Sequence, residues 1–85
     1  MSVKILYFAS LREKLGCASE ELALPEGVST LGALRAHLAT RGGAWAEALS
    51  EGRLVRMAVN QEMSPPGTAV ADGQEVAFFP PVTGG

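Results

Sequence analysis

The residues with chemistry to offer stand at the carboxyl end of this 85-residue chain, in "VAFFPPVTGG" from Val76 to Gly85. An apolar, strand-like run meets Pro80-Pro81, crosses Val82 and Thr83, and finishes on Gly84-Gly85. Proline fixes φ and lacks an N–H, so the pair holds an extended direction and keeps the tail from folding back into a sheet. Glycine has no Cβ, so Gly84-Gly85 suits a channel too narrow for any other residue and leaves the terminal carboxyl open to approach from every side. A free carboxylate is charged and resonance-stabilised, hence a poor electrophile; adenylation by ATP turns it into a mixed anhydride. Capture by an amine then gives an isopeptide. Capture by a sulfur donor gives a thiocarboxylate, whose sulfur is anionic at neutral pH and far more nucleophilic than the parent carboxylate. The tail by itself leaves both outcomes open.

The body of the chain offers no convincing competitor. It has no Gly-rich phosphate loop between a strand and a helix, no paired histidines at helical spacing and no Cys/His pair close in sequence. His37 falls within a helical pattern, where a lone histidine is usually a surface residue. Cys17 follows Gly16 in a loop with no evident base to lower its pKa, which favours an inert thiol. Asp72, just before Gly73, suits a turn. No metal site is expected, and by elimination the folded body supplies no convincing catalytic set.

The elements that must carry such a tail are legible from periodicity. Ser2 to Ala9 is a strand with Val3, Ile5 and Tyr7 on one face and Leu6 and Phe8 on the other. Ser10 to Gly16 predicts one or two helical turns, capped by Ser10 and stopped by Gly16. Ser19 to Leu24 is a short strand ended by Pro25-Glu26-Gly27. In "STLGALRAHLATRGG", Leu31, Leu34 and Leu38 recur at i, i+3 and i+7; Ser29 or Thr30 caps this main helix and Gly42-Gly43 ends it. A short helical segment follows to Gly52, with Trp45 and Leu49 four apart. Arg53 to Asn60 is a strand with Val55, Met57 and Val59 inward, "SPPGTAVADG" is loop, and Gln74 to Phe79 is the last strand.

Two strands before the main helix and at least two after it, in so short a chain, imply an α+β ubiquitin-like β-grasp: a mixed β-sheet packed on one main helix, with short helical turns beside it. A ferredoxin-like arrangement would want two comparable helices. We expect one domain over residues 1–81 and a mobile tail over 82–85. Hydrophobic residues make up 47% and charged residues 19%, a globular composition, and the net charge is -2 with the seven basic residues scattered. That argues against nucleic acid as a partner. The apolar run Ile5 to Ala9 is too short for a membrane span or a signal-peptide core, and a single cysteine fits a reducing compartment, so the expected setting is cytoplasmic with no membrane association.

One surplus remains. If Val76 and Phe78 face the helix, Phe79 faces away, as does Phe8 on the first strand; in a β-grasp those strands are neighbours. The two rings would then form an exposed apolar patch of the kind that marks a partner surface, unless the short helix or the 61–71 loop covers them.

"VKILYFASLRE", "AVNQ" at Ala58 to Gln61 and "DGQEVAFFPPVTGG" from Asp72 to Gly85 resemble the small subunits of molybdopterin synthase, the sulfur carriers of molybdenum cofactor biosynthesis. The likeness runs nearly end to end; its C-terminal block is specific, while 42–52 matches only in general character. It implies that Gly85 is adenylated by a ubiquitin-activating-like adenylyltransferase, which uses ATP, and is then converted to a thiocarboxylate with sulfur from a desulfurase or rhodanese-type donor. The carrier itself would hold no cofactor, and the catalytic side chains of this sulfurtransferase would lie mainly on the large subunit. The tail would next enter the large subunit and pass sulfur to cyclic pyranopterin monophosphate (precursor Z), two carriers building one dithiolene in a heterotetramer. By this resemblance Gly85 bears the sulfur, Gly84 permits threading, and Pro80, Pro81, Val82 and Thr83 line the entry path. Phe8, Met63 and Phe79 make the apolar partner contacts, Met63 on the resemblance alone. The other readings are a carrier for a thiamine-type pathway, a ubiquitin-like protein modifier, and a plain binding module with an incidental tail.

Overall fold

The computed structural model describes residues 2–50 and 52–81. Its elements are β1 (Val3–Tyr7), α1 (Ala9–Leu15), β2 (Ser19–Leu22), α2 (Leu31–Ala39), α3 (Gly43–Leu49), β3 (Arg56–Val59), β4 (Glu62–Met63) and β5 (Glu75–Phe79). The strands form one sheet of order β2-β1-β5-β3-β4. β1 runs antiparallel to β2 and parallel to β5, and β3 is antiparallel to both β5 and β4. This is the mixed α+β arrangement expected of a β-grasp.

The core follows the predicted alternation. Val3, Ile5 and Tyr7 of β1, Val76 and Phe78 of β5, and Met57 and Val59 of β3 are buried on the inner face. Leu31, Leu34 and Leu38 of α2 meet them, joined by Leu11, Leu49 and Val70. Each such side chain, fully buried, contributes about 1.5–3 kcal/mol, which makes the α2 leucine stripe the main fastening of the sheet. Thr30 caps α2 as expected: its extended backbone lets Oγ1 accept from the Ala33 N–H at 3.1 Å.

Several boundaries differ from expectation, each for a local reason. Ser10 does not cap α1; that place falls to Phe8, with no side-chain cap. The chain bends one residue earlier, at Ala9, through a left-handed φ of 52°. Gly16 does end α1, in the left-handed region at φ 67°, its N–H bonded to the Arg12 carbonyl. α2 stops at Ala39 with Thr40 still right-handed, so Gly42-Gly43 does not terminate it; Gly42, at φ 77°, instead opens α3. β2 ends at Leu22 rather than Leu24 because its partner β1 begins at Val3, opposite Leu22. β3 begins at Arg56 rather than Arg53: it pairs with Phe79, and continuing the register would set Val55 and Leu54 against Pro80 and Pro81, which have no N–H to donate. β4 was not anticipated at all. Asn60 (φ 50°) and Gln61 (φ 69°) make a two-residue turn with both φ values positive, and this closes a β3–β4 hairpin with Val59 opposite Glu62.

Candidate functional site

The parallel pairing of β1 with β5 decides where the reactive end can work. Both strands point the same way and end together, Tyr7 opposite Phe78, and the Phe8 N–H donates to the Phe78 carbonyl at 3.1 Å. The next residue on each strand therefore emerges at the same edge of the sheet. The Phe8 and Phe79 rings meet edge to face, centroids 6.5 Å apart at 78°. Phe8 is 45% exposed and Phe79 half-buried, so neither α3 nor the 61–71 segment covers the pair. Pro80 and Pro81 follow directly, half-buried. Val82, Thr83, Gly84 and Gly85, on which the sulfur-bearing and threading roles were placed, lie outside the described residues.

Met63 belongs to the same face but not to the same contact. Its register runs Met63–Ala58–Ala77–Leu6 across β4, β3, β5 and β1, and paired residues share a side of the sheet. Leu6 and Ala77 are two residues before Phe8 and Phe79, so the phenylalanines and the 52% exposed Met63 sit on one outer surface, separated by the low ground of two alanines.

Behind the patch lies an assembly that sequence spacing does not reveal. Tyr7, buried under the sheet, donates its hydroxyl to Glu20 Oε2 at 2.9 Å. Arg41 grips the same carboxylate with both Nη atoms, at 2.9 and 2.8 Å. The guanidinium lies 4.4 Å from the centroid of the Trp45 ring. Trp45 meets Tyr7 edge to face at 5.4 Å, and Tyr7 stacks on Phe78 at 6.1 Å. The Arg41 hydrogen bonds hold Glu20 below the ordinary glutamate range against the opposing effect of burial. Burial, aided by the hydrogen bond to Glu20, pushes the Tyr7 phenol far upward, so it remains a donor. The network ties β1, β2 and α3 to the strand whose next residue is Phe79.

Two further residues at this end escape the sequence reading. Arg35 of α2 donates to the carbonyls of Leu49 and Ser50 at 2.9 and 2.8 Å and to that of Arg53, pinning the end of α3 and the approach to β3. Leu54 is 81% exposed. Alternation did carry a signal for it: with Val55, Met57 and Val59 inward, Leu54 falls on the outward set. Among the described residues no group of three or more His, Cys, Asp or Glu could hold a metal. The Cys17 thiol is half-buried and directed at the Ser19 carbonyl, 3.3 Å away. Among the described residues no helix is long and apolar enough to cross a membrane.

A sheet of this order wrapped on α2, with its central parallel pair ending beside an exposed aromatic couple, defines a ubiquitin-like β-grasp protein. Comparison with known proteins narrows the class: the chain belongs to the ThiS family, whose model matches residues 5–85. It is 45% identical over 83 residues to the molybdopterin synthase sulfur carrier subunit of Haemophilus influenzae, covering 98% of this chain and 99% of that one. The protein of the same name from Escherichia coli is 46% identical over the same share of each. Among solved structures, SAMP1 of Haloferax volcanii superposes over 100% of both chains with a TM-score of 0.75 at 28% identity.

Proposed function

We propose that this chain is the sulfur-carrier subunit of a molybdopterin synthase. The observation that carries the reading is its near end-to-end likeness, at 45% identity, to a relative of that name. The geometry supplies a physical basis: the tail is rooted at the one edge where β1 and β5 both deliver a phenylalanine to the surface. A partner that grips Phe8 and Phe79 thereby sets the starting point and direction of the tail, turning a diffusional search by the terminal carboxyl into a positioned one.

The chemistry then runs in balanced steps. The Gly85 carboxylate attacks the α-phosphorus of ATP on an adenylyltransferase; pyrophosphate leaves and the acyl adenylate forms. The persulfide of a desulfurase or rhodanese-type protein attacks the carbonyl carbon through its outer sulfur and AMP leaves; a thiol then reduces the resulting acyl disulfide, becoming a disulfide itself and releasing the thiocarboxylate. Inside the large subunit its sulfur bonds to a side-chain carbon of cyclic pyranopterin monophosphate as the C–O bond at that carbon breaks, the oxygen leaving with the phosphate or, once protonated, as water. Water then cleaves the acyl–sulfur bond, returning the Gly85 carboxylate and leaving sulfur on the pterin. Two charged carriers complete a dithiolene. The carrier contributes the nucleophile and its placement; the large subunit contributes the acid–base groups.

Intact mass after incubation with ATP, the activating enzyme and sulfide tests the reading. Replacement of one oxygen by sulfur on the chain, followed by its reversal when the large subunit and precursor are added, is expected. Attachment of the chain to lysines of other proteins, with no sulfur gained, would mark a protein modifier and overturn it.

A further inference from the structure

Beside the tail root lies a cleft of about 420 Å³ that the patch of phenylalanines does not include. α1 provides Leu11 and Lys14, α3 provides Glu47, the approach to β3 provides Arg53 and Leu54, and Pro80 closes one wall. Leu54 is the most exposed large apolar side chain among the described residues, at 81%, where Phe8 and Met63 are 45% and 52%. Its place is fixed from behind, because Arg35 holds the Arg53 carbonyl. The charge around this end departs from that of the whole. The chain is net acidic, at -2, yet two cations, Lys14 and Arg53, line the cleft against one carboxylate, Glu47. Two more basic residues stand on neighbouring backbone, Arg56 opposite Phe79 and Arg12 with its main-chain N–H bonded to the Phe8 carbonyl.

We infer that this cleft is a second docking element for the large subunit, taking a segment that presents an apolar side chain flanked by carboxylates. The inference rests on the sulfur-carrier reading and deepens it. Two observations select that occupant. Pro80 is a wall of the cleft and the root of the tail at once, so a protein that swallows the tail as far as Pro81 covers the cleft in the same motion. An exposed leucine beside Lys14 and Arg53 matches an apolar group with acidic neighbours, and long-range attraction of that sign speeds encounter while the leucine contact slows departure. The phenylalanine patch on the outer sheet face and this cleft, lined by α1, α3 and the approach to β3, meet at Phe79-Pro80. Gripped at both, the body cannot pivot about its own terminus.

The test is calorimetric titration of the intact carrier with its large subunit at low and at physiological salt. Leu54→Ser and the double variant Lys14→Glu/Arg53→Glu are compared with the parent, and thermal melting serves as the control of folding. All three side chains are exposed, so melting should match the parent. Leu54→Ser is expected to weaken binding by roughly tenfold at both salts, the loss typical of a buried interface anchor. The double reversal is expected to weaken it by at least about tenfold at low salt and less at physiological salt, because screening acts over about 8–10 Å there. Binding by both variants within about twofold of a tightly binding parent overturns the inference and leaves the carrier reading intact. Loss of affinity for the activating enzyme alone also overturns it. Failure of the parent itself to bind the large subunit would overturn both.

Discussion

The phenylalanines at 78 and 79 show how one position along a strand separates folding from binding. Phe78 is fully buried and stacked on Tyr7, so Phe78→Ala should cost about 3–5 kcal/mol of stability. Phe79 faces outward, half-buried, against Phe8. Phe79→Ala should therefore cost the fold only about 1–2 kcal/mol while weakening association with the large subunit by about tenfold or more. Parallel melting and titration of the two variants check this, and equal binding by Phe79→Ala and parent would remove the patch from the interface. Glu20 offers a second contrast. Its folded-state pKa is depressed by Arg41, so the native carboxylate binds protons less readily than the unfolded one. The stability it contributes is thus present above the unfolded-state value near 4.3 and lost as pH falls through the lower folded value. Glu20→Gln should lose about 0.5–1.5 kcal/mol at neutral pH and show a shallower decline of stability below pH ~4.5 than the parent, measured by urea unfolding across pH.

At the scale of elements, what could be read from the sequence was what repeats. Three leucines at helical spacing predicted α2 and the face it buries, and odd-numbered apolar residues predicted which side of β1 turns inward. The pairing of Phe8 with Phe79 followed once β1 and β5 were taken as neighbours. What stayed hidden depends on residues far apart in sequence or on single dihedral angles. Nothing local links Tyr7 to Glu20, Arg41 and Trp45, and β4 exists because Asn60 and Gln61 both adopt positive φ in a turn lacking the usual glycine. Arg35 is a third case. From the sequence it is a polar residue in α2; in the fold its guanidinium satisfies carbonyls at the end of α3 that have no helical partner. Arg35→Ala should remove these bonds, leaving Ser50 only its acceptance from the Arg53 N–H, and cost about 1–3 kcal/mol, seen as a lower denaturation midpoint. Arg35→Lys should recover only part of that loss, since one ammonium cannot reproduce a planar fork reaching three oxygens. Full recovery by lysine would mean that charge, rather than geometry, holds the 49–53 segment.

The molecule as a whole is a small body, with a Cα radius of gyration of 11.9 Å, and on the proposed function its task is to aim its own end. Four residues follow Pro81, and at about 3.3–3.6 Å each they can reach at most about 13–14 Å when extended. That span is comparable to the radius of the body itself. The reacting atom can then sit well inside a partner while the β-grasp body stays outside, resting on Phe8, Phe79 and the neighbouring cleft. Removal of Gly84 and Gly85 halves the reach and leaves every buried residue of the core in place. The shortened chain should melt within about 0.5 kcal/mol of the parent. It should still bind the large subunit through the sheet face, with whatever affinity the tail contributes removed, and it should neither gain sulfur nor support dithiolene formation. Mixed with the intact carrier it should act as a competitor, occupying the large subunit without reacting, so that turnover falls as its concentration rises and recovers when more charged carrier is added. Retained transfer by the truncated chain would mean that the reactive group lies elsewhere; absence of competition would mean that the body contributes too little to binding for the outer face to guide the tail.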